Sequence, residues 1–503
     1  MQTIDPTQTP AQPTAAPSAN PTAKSYDMDD WRSGYRSQPQ ELTYWIDDID
    51  GEIPADLTGT YFRNGPGLLD IHGYPVKHPF DGDGMISAIA FKDGQAHYRN
   101  RFIRTEGYVA EQQAKKPLYR GVFGTQKPGG PLANALDLKL KNIANTNILY
   151  WGGKLLALWE AAEPHALDPR TLDTLGLDYL DGLLQVGDAF SAHPRIDPAG
   201  ERTDGQPCLV NFAVKTGLSS TITIYEFDPK GRLVFQQKRS IPGFAFLHDF
   251  AITPNYCIFF QNPVSFNPLP FLAGFKGAAE CITLNPKQAT QALLIPRDGK
   301  RPVQTLELPS CFVFHHANAF EENGKVIVDS VCYSDFPSLD GGEYADVDFD
   351  TVPAGQLWRF TLDPTRQHGD AQQKITRCCE FPVLHPAHVG REYRYLYIGA
   401  AHDSHGNAPL QALVKHDLTT GEENLYSVAP RGFAGEPIFV PHPHGSAEDD
   451  GWVLLQTYNA ATRNSEVHIL NAQNLAVLAI LKLKHHIPYG LHGSFVNQYF
   501  ETA

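Results

Sequence analysis

Apolar and polar positions alternate along this chain in short runs, each ended by Asp, Asn, Gly or Pro, as in strands joined by tight turns. One phrase recurs: a short alternating strand, a turn built on Asp or Asn, and a second strand. It is clearest at Ile224-Tyr225-Glu226-Phe227-Asp228-Pro229, Leu357-Trp358-Arg359-Phe360-Thr361-Leu362-Asp363-Pro364 and Leu413-Val414-Lys415-His416-Asp417. His165-Ala166-Leu167-Asp168-Pro169 and His468-Ile469-Leu470-Asn471 are similar, and Ile282-Thr283-Leu284-Asn285-Pro286 and Phe91-Lys92-Asp93-Gly94 are weaker copies. The turn residues fall at 93, 168, 228, 285, 363, 417 and 471, at intervals of 54 to 78 residues. Asx side chains start turns by bonding the backbone two residues on, which suits them to outer hairpins. Seven such units predict an all-β fold, a seven-bladed β-propeller with four-stranded blades.

Two segments interrupt the pattern. Residues 119–150 contain Gly129-Gly130-Pro131-Leu132-Ala133-Asn134-Ala135-Leu136-Asp137-Leu138-Lys139-Leu140-Lys141, which predicts a short helix, and residues 266–275 are apolar but broken by Pro268 and Pro270. Both are expected to leave the propeller on one face, where function usually sits. Residues 1–24, rich in Pro, Thr, Ala and Gln without an apolar core, read as a disordered tail rather than a signal peptide. Residues 25–503 are then expected to form a single propeller domain.

Composition narrows the function classes. Across 503 residues, 41 Lys+Arg face 56 Asp+Glu, a balance of −15 that argues against a nucleic-acid partner. Gly 42 and Pro 39 exclude a helical bundle. The seven cysteines contain no CxxC pair and have mostly apolar neighbours, which reads as reduced, buried thiols in a cytoplasmic protein. No apolar run approaches the roughly 18 residues needed to span a bilayer, so any membrane contact is expected to be peripheral.

Twenty histidines are many. His72, His97 and His368 lie in polar loops, and His416 and His468 beside charged strand neighbours. Four others stand in apolar, strand-like settings in different repeat units: His193, His248, His315 and His492. Inner strands of a propeller converge on its axis, so such residues can meet at one metal, and an all-imidazole set suits Fe, Zn, Cu or Ni rather than Mg or Ca. Spacing leaves His316 competing with His315, and His485 and His486 with His492. Glu160, Glu380 and Glu436 share the apolar setting, where a carboxylate needs a partner such as the free N–H of a metal-bound imidazole. Glu280, in Ala278-Ala279-Glu280-Cys281, looks the same. GxSxG, HExxH and Walker A motifs are absent, and Phe80-Asp81-Gly82-Asp83-Gly84-Met85 lacks the remaining EF-hand spacing and reads as a tight turn.

Several phrases together resemble the carotenoid cleavage oxygenase family, most closely its cyanobacterial apocarotenoid 15,15′-oxygenases. They are Tyr61-Phe62-Arg63-Asn64-Gly65-Pro66-Gly67, the Phe80–Met85 turn, Phe246-Leu247-His248-Asp249-Phe250-Ala251-Ile252-Thr253, Phe314-His315-His316-Ala317-Asn318-Ala319, Gly435-Glu436-Pro437-Ile438-Phe439-Val440-Pro441 and Leu491-His492-Gly493-Ser494. They spread over about residues 26 to 496. The resemblance implies a seven-bladed propeller with a loop and helix dome over an axial Fe(II), held by His193, His248, His315 and His492. It selects His315 over His316, and His492 over His485 and His486. Glu160, Glu380 and Glu436 match the glutamates that orient the ligands, and two positions on iron are left for O2 or solvent. Phe80, Phe123, Trp159, Phe246 and Tyr333 match the substrate tunnel, and Thr146 the residue whose methyl sits near the vacant site.

What the resemblance implies, then, is oxidative cleavage of an apocarotenoid, at the 15,15′ bond, to give retinal, by a monomer that dips an apolar patch of its dome segments into a membrane. Within the family the alternatives are a stilbene-cleaving dioxygenase, which would want a phenolate-binding Lys/Tyr pair, and a retinoid isomerase. Outside that chemistry stands a non-catalytic apocarotenoid carrier, which would have no use for four ligands and three orienting acids. Propeller lactonases bind Ca²⁺ through Asp, Asn and Glu instead.

Overall fold

The computed structural model describes residues 24–217, 219–337 and 344–501. The tail expected over 1–24 falls, except for Lys24, outside them. Among the described residues, strands gather into seven antiparallel sheets of four or five strands, the blades of a propeller, beside two small two-stranded sheets. The inner strands are Asn147–Trp151, Arg195–Asp197, Ala251–Ile252, Phe312–Glu322, Cys379–Val383, Gly432–Pro441 and Gly493–Val496.

Burial explains why the middle strands read as apolar runs. Lys154–Leu158 and Asp83–Lys92 are covered by neighbouring blades on both faces and are almost wholly buried. The outer strand Leu233–Pro242 keeps a largely exposed pattern. The cores are therefore interfaces between blades. One of them packs Phe91 and Tyr98 of the first blade on Leu454 and Ile469 of the last.

The ring closes with strands from both chain ends. Gly493–Val496 is the inner strand of the first blade, paired with Gly59–Leu68 (Phe62 opposite Ser494), while Ile49–Gly51 adds an outer strand to the last blade against Val477–Lys482. Each closing blade is thus made of sequence from both ends, so neither end can leave without opening a core.

Six of the seven expected turns join the third and fourth strands of a blade, counted outward from the axis: 93, 168, 228, 363, 417 and 471. The seventh differs. Asn285 follows Ile282–Leu284, which pairs with Val264–Phe266 in a two-stranded sheet that interrupts the fourth blade. That blade turns instead at Asp298, whose Oδ1 accepts the amides of Lys300 and Arg301. The helix predicted over 129–141 is only Gly130–Asn134, and the second segment holds the short helix Pro268–Leu272. The two segments are stitched together: the Leu136 amide donates to the Leu272 carbonyl, and the buried Arg120 guanidinium donates to the Asn134, Asp137 and Lys276 carbonyls while lying over the Phe271 ring.

Phe80–Met85 is not a simple tight turn. A 3-10 turn at Pro79–Asp81 leads straight into the strand Asp83–Lys92, and its two acids anchor the dome. Asp81 accepts the Phe123 and Thr125 amides, and Asp83 pairs with Lys141 at 2.5 Å, which also meets Glu111 at 2.6 Å. All seven cysteines are free and buried.

Candidate metal centre and substrate cavity

Each blade carries one of the site residues in its inner strand or just before it. His492 directly precedes Gly493–Val496, Thr146 precedes Asn147–Trp151, and His193 and His248 stand two and three residues before Arg195–Asp197 and Ala251–Ile252. His315, Glu380 and Glu436 lie within their strands, each at an irregularity in pairing: between Val313 and His316, Glu380 and Pro382, and Ala434 and Pro437. An unpaired extra residue re-aims its side chain; His315 and Glu436 are among the unpaired residues, whereas Glu380 pairs with Gly399 and the extra residue beside it is Phe381. Phe381, beside Glu380, takes a left-handed backbone (φ 59°), a strained conformation for a residue with a Cβ that is held where Glu380 accepts its own neighbour's amide at 2.6 Å.

The imidazoles of His193, His248, His315 and His492 converge so that one nitrogen from each lies within 4.8 Å of the others. Nε2 of His193 and of His248 are 2.9 Å apart. A first-row dication binds imidazole nitrogen at about 2.0–2.1 Å. Donors at right angles then stand about 3 Å apart and opposite donors about 4.2 Å apart, so this cluster fits such an ion. The hydrogen bonds support the same reading. Nδ1 of His248 meets Glu160 at 2.5 Å, Nδ1 of His315 meets Glu380 at 2.6 Å and Nδ1 of His492 meets Glu436 at 2.8 Å. An Nδ1–H given to a carboxylate leaves Nε2 as a bare lone pair. The His315 Nε2 is accordingly buried without a hydrogen-bond partner. Bare lone pairs facing one another call for a cation between them.

Charge agrees with this. Three carboxylates bond the imidazoles, and the buried Arg63 guanidinium meets Glu436 at 2.5 Å; a fourth carboxylate, Asp249, stands nearby paired with Arg195 at 2.5 Å. Burial works to raise the Glu436 carboxyl, but His492 and Arg63 outweigh it and hold it below its usual range; His315 does the same for Glu380. Burial, with the neighbouring imidazoles, keeps His193 well below its ordinary value, and burial lowers His492. At His315 burial also works downward, yet the Glu380 carboxylate and those behind it prevail and raise it.

The competing residues are accounted for elsewhere. His316 meets the Ser330 hydroxyl through Nδ1, His485 lies between the Tyr44 and Tyr98 hydroxyls, and His486 donates to the Arg36 carbonyl. Glu280 pairs with Lys77 instead of a histidine.

Beside the cluster lies a cavity of about 340 Å³ whose wall includes His248, His315, His492, Glu160 and Glu380 but not His193. The five residues expected on a tunnel, Phe80, Phe123, Trp159, Phe246 and Tyr333, line it, and so does Thr146, expected near the vacant metal position. Tyr333 also donates its hydroxyl to Glu380 at 2.8 Å. The Thr146 carbonyl accepts the His492 amide at 3.1 Å, so that residue is fixed against a histidine of the cluster. Sequence reasoning missed Trp31, Tyr35, Phe314, Phe336 and Phe381 on the wall. Phe314 adjoins a chosen histidine and Phe381 a chosen glutamate, the one signal that could have found them. Arg63 was visible only inside a longer phrase, with nothing local to give it a partner.

Comparison with known proteins meets this site. The family model described as retinal pigment epithelial membrane protein matches residues 35–497. The apocarotenoid-15,15′-oxygenase of a Synechocystis species is 56% identical over 98% of this chain and 99% of its own. The lignostilbene-alpha,beta-dioxygenase isozyme III of Sphingomonas paucimobilis is 30% identical over 90% of this chain and 93% of its own. A cobalt-substituted crystal structure of the Synechocystis enzyme superposes with a TM-score of 0.93 at 56% identity, covering 95% of this chain and all of that one. With its seven blades and four axial histidines, the chain belongs to the retinal pigment epithelial membrane protein family, the family of the carotenoid cleavage oxygenases.

Proposed function

We propose that this chain is an iron(II)-dependent dioxygenase that cleaves a conjugated double bond of an apocarotenoid, at the 15,15′ position, to give retinal. The observation that carries the reading is the shared wall: three of the four converging histidines open directly onto an aromatic cavity. The Synechocystis relative, 56% identical, is named for that bond.

In this reading His193, His248, His315 and His492 hold Fe(II), and Glu160, Glu380 and Glu436 fix the tautomers of His248, His315 and His492 and make their metal-facing nitrogens more basic. Bound there, iron supplies the activation of O2, the cosubstrate. Phe80, Phe123, Trp159, Phe246 and Tyr333 clamp a rigid polyene beside the histidines and keep water out, which supplies orientation that solution cannot. Thr146 sets the close packing beside the histidines. The hydroxyl of Tyr333 keeps Glu380 in place while its ring faces substrate.

The lignostilbene enzyme at 30% identity makes stilbene cleavage the second reading. A phenolate needs an unneutralised cation, and Lys77, a lysine on the cavity wall, already holds Glu280 at 2.7 Å. That favours the polyene.

The exposed Leu132 (94%), Leu136, Leu138, Leu269 and Phe275 of the stitched dome segments form the apolar patch through which a monomer would touch a membrane from the cytoplasmic side. No helix among the described residues is long and apolar enough to cross one. Replacing Leu136 and Leu269 with Asp is expected to lower binding to sedimented neutral-lipid vesicles several-fold; unchanged binding would remove the patch from the account.

The function is tested by loading the protein anaerobically with Fe(II) and adding an 8′-apocarotenal or a hydroxystilbene in air. Retinal from the first, dependent on iron, is expected. Cleavage of the stilbene alone would replace the substrate, and a shifted polyene spectrum without cleavage would favour a carrier.

A further inference from the structure

Glu280 has the same apolar sequence surroundings as the three glutamates on the histidines, yet it touches none of them. Its Oε1 accepts from Lys77 Nζ at 2.7 Å and its Oε2 accepts the Gly277 amide at 2.7 Å. Both side chains are part of the cavity wall. The same wall carries Ala279, Phe80, Phe123 and His78, an imidazole that burial pushes down to about 3 and so keeps neutral. Glu280 is largely covered while Lys77 stays 30% exposed, so the pair sits at the edge of the wall, and it does nothing for the histidines.

The pair stands where the two dome segments meet the cavity. The Ala279 amide donates to the Val122 carbonyl. Gly124 lies so close that a Cβ there would fall 2.8 Å from Lys77 Cδ and 2.9 Å from Glu280 Oε2. Four residues before Gly277-Ala278-Ala279 ends, Phe275 is exposed on the patch.

The hydrogen-bond inventory defines what the pair can recognise. Lys77 Nζ carries three N–H groups and gives one to Glu280; among the described residues no other acceptor takes the rest. Glu280 keeps lone pairs beyond those used by Lys77 and Gly277. A donor and an acceptor therefore stand side by side on an apolar wall. An alcohol both donates and accepts and fits the two together; an aldehyde only accepts, and a phenolate would need a cation not already neutralised.

We propose that Lys77 and Glu280 together read a hydroxyl on the terminal ring of the polyene, which makes them specificity-determining residues of the cavity. The inference rests on the apocarotenoid reading of the same site.

Two 8′-apocarotenals differing only in a ring hydroxyl test it. For the Fe(II)-loaded protein, Lys77→Met and Glu280→Gln, the ratio of kcat/KM between the two substrates is measured, together with equilibrium binding of each from the polyene absorbance. The native protein should prefer the hydroxylated compound, and each variant should lose about tenfold of that preference. A native protein without preference, or variants that lower both substrates equally, would overturn the proposal. Glu280→Gln keeps shape and volume, so it carries the test if Lys77→Met fails to fold. Should the native protein cleave neither compound, the cleavage reading fails on its own; a binding preference lost in both variants would still support the pair, and equal binding would overturn it.

Discussion

Glu436 and Glu160 both accept an Nδ1–H from a histidine of the cluster, but they are held in opposite ways. Glu436 meets His492, the Gly493 amide and the Arg63 guanidinium, and its side chain is only 10% exposed. Arg63 in turn donates to the Leu491 carbonyl, so the whole arrangement spans the seam where the last strand closes the ring. Glu160 meets His248 alone among the described residues, is 28% exposed and faces the cavity. One histidine is fixed by the closure of the fold; the other is fixed by a carboxylate that substrate can approach. Folding thus preorganises the His492 side before any metal arrives, while the His248 side can adjust to what fills the cavity.

His492→Ala attacks the rigid side most directly. It is expected to abolish metal retention and activity while the protein still folds; normal metal content after purification would remove His492 from the cluster's role. Arg63→Met keeps the stem and deletes the charge. Leaving Glu436 buried and unpaired should cost about 3–5 kcal/mol of stability, read as a large drop in Tm. Glu160→Gln, measured in parallel, should move Tm little, and equal drops would erase the distinction between the sides.

Metal affinity sharpens the contrast further. Glu436→Gln and Glu160→Gln should each weaken metal binding within the roughly 10–100-fold range for a lost outer carboxylate, with Glu436 at the upper end. A metal titration against a chelator of known affinity would show the order, and the reverse order would contradict it.

Acid provides the smallest effect. His485 lies at the ring closure between the Tyr44 and Tyr98 hydroxyls, and burial pushes it down from 6.5 to about 4. Between those values the unfolded chain binds the proton and the folded one does not, so stability falls as pH drops through that window. Tm measured from pH 7 to 4.5 should decline, and His485→Gln should flatten part of the decline. An unaltered slope would assign it to other buried histidines such as His165, likewise pushed down to about 4.

The propeller was legible because an Asp or Asn side chain at an outer turn leaves the same mark in each blade. It misled at Asn285 because the two-stranded insertion in the fourth blade ends in the same turn chemistry, while the true turn at Asp298 follows Pro296-Arg297 and breaks the phrase. The histidines were legible as a group but not individually. Which of His315 and His316 faces the axis depends on a break in strand pairing between Val313 and His316, and neither spacing nor composition encodes it. Family resemblance made that choice, and the geometry agrees with it. Glu280 and Glu380 look alike locally; only the path of the dome segments puts Lys77 beside one and His315 beside the other. Arg63 is invisible for the same reason, since its partner lies 373 residues away.

The central claim is that four imidazoles, and no carboxylate, hold the metal while three glutamates stand behind them. X-ray absorption at the iron edge of the Fe(II)-loaded protein tests it most directly. Four imidazole nitrogens at about 2.1 Å, with the outer-shell scattering of their rings, are predicted. A first shell containing a protein carboxylate, or fewer than four imidazoles, would contradict the account.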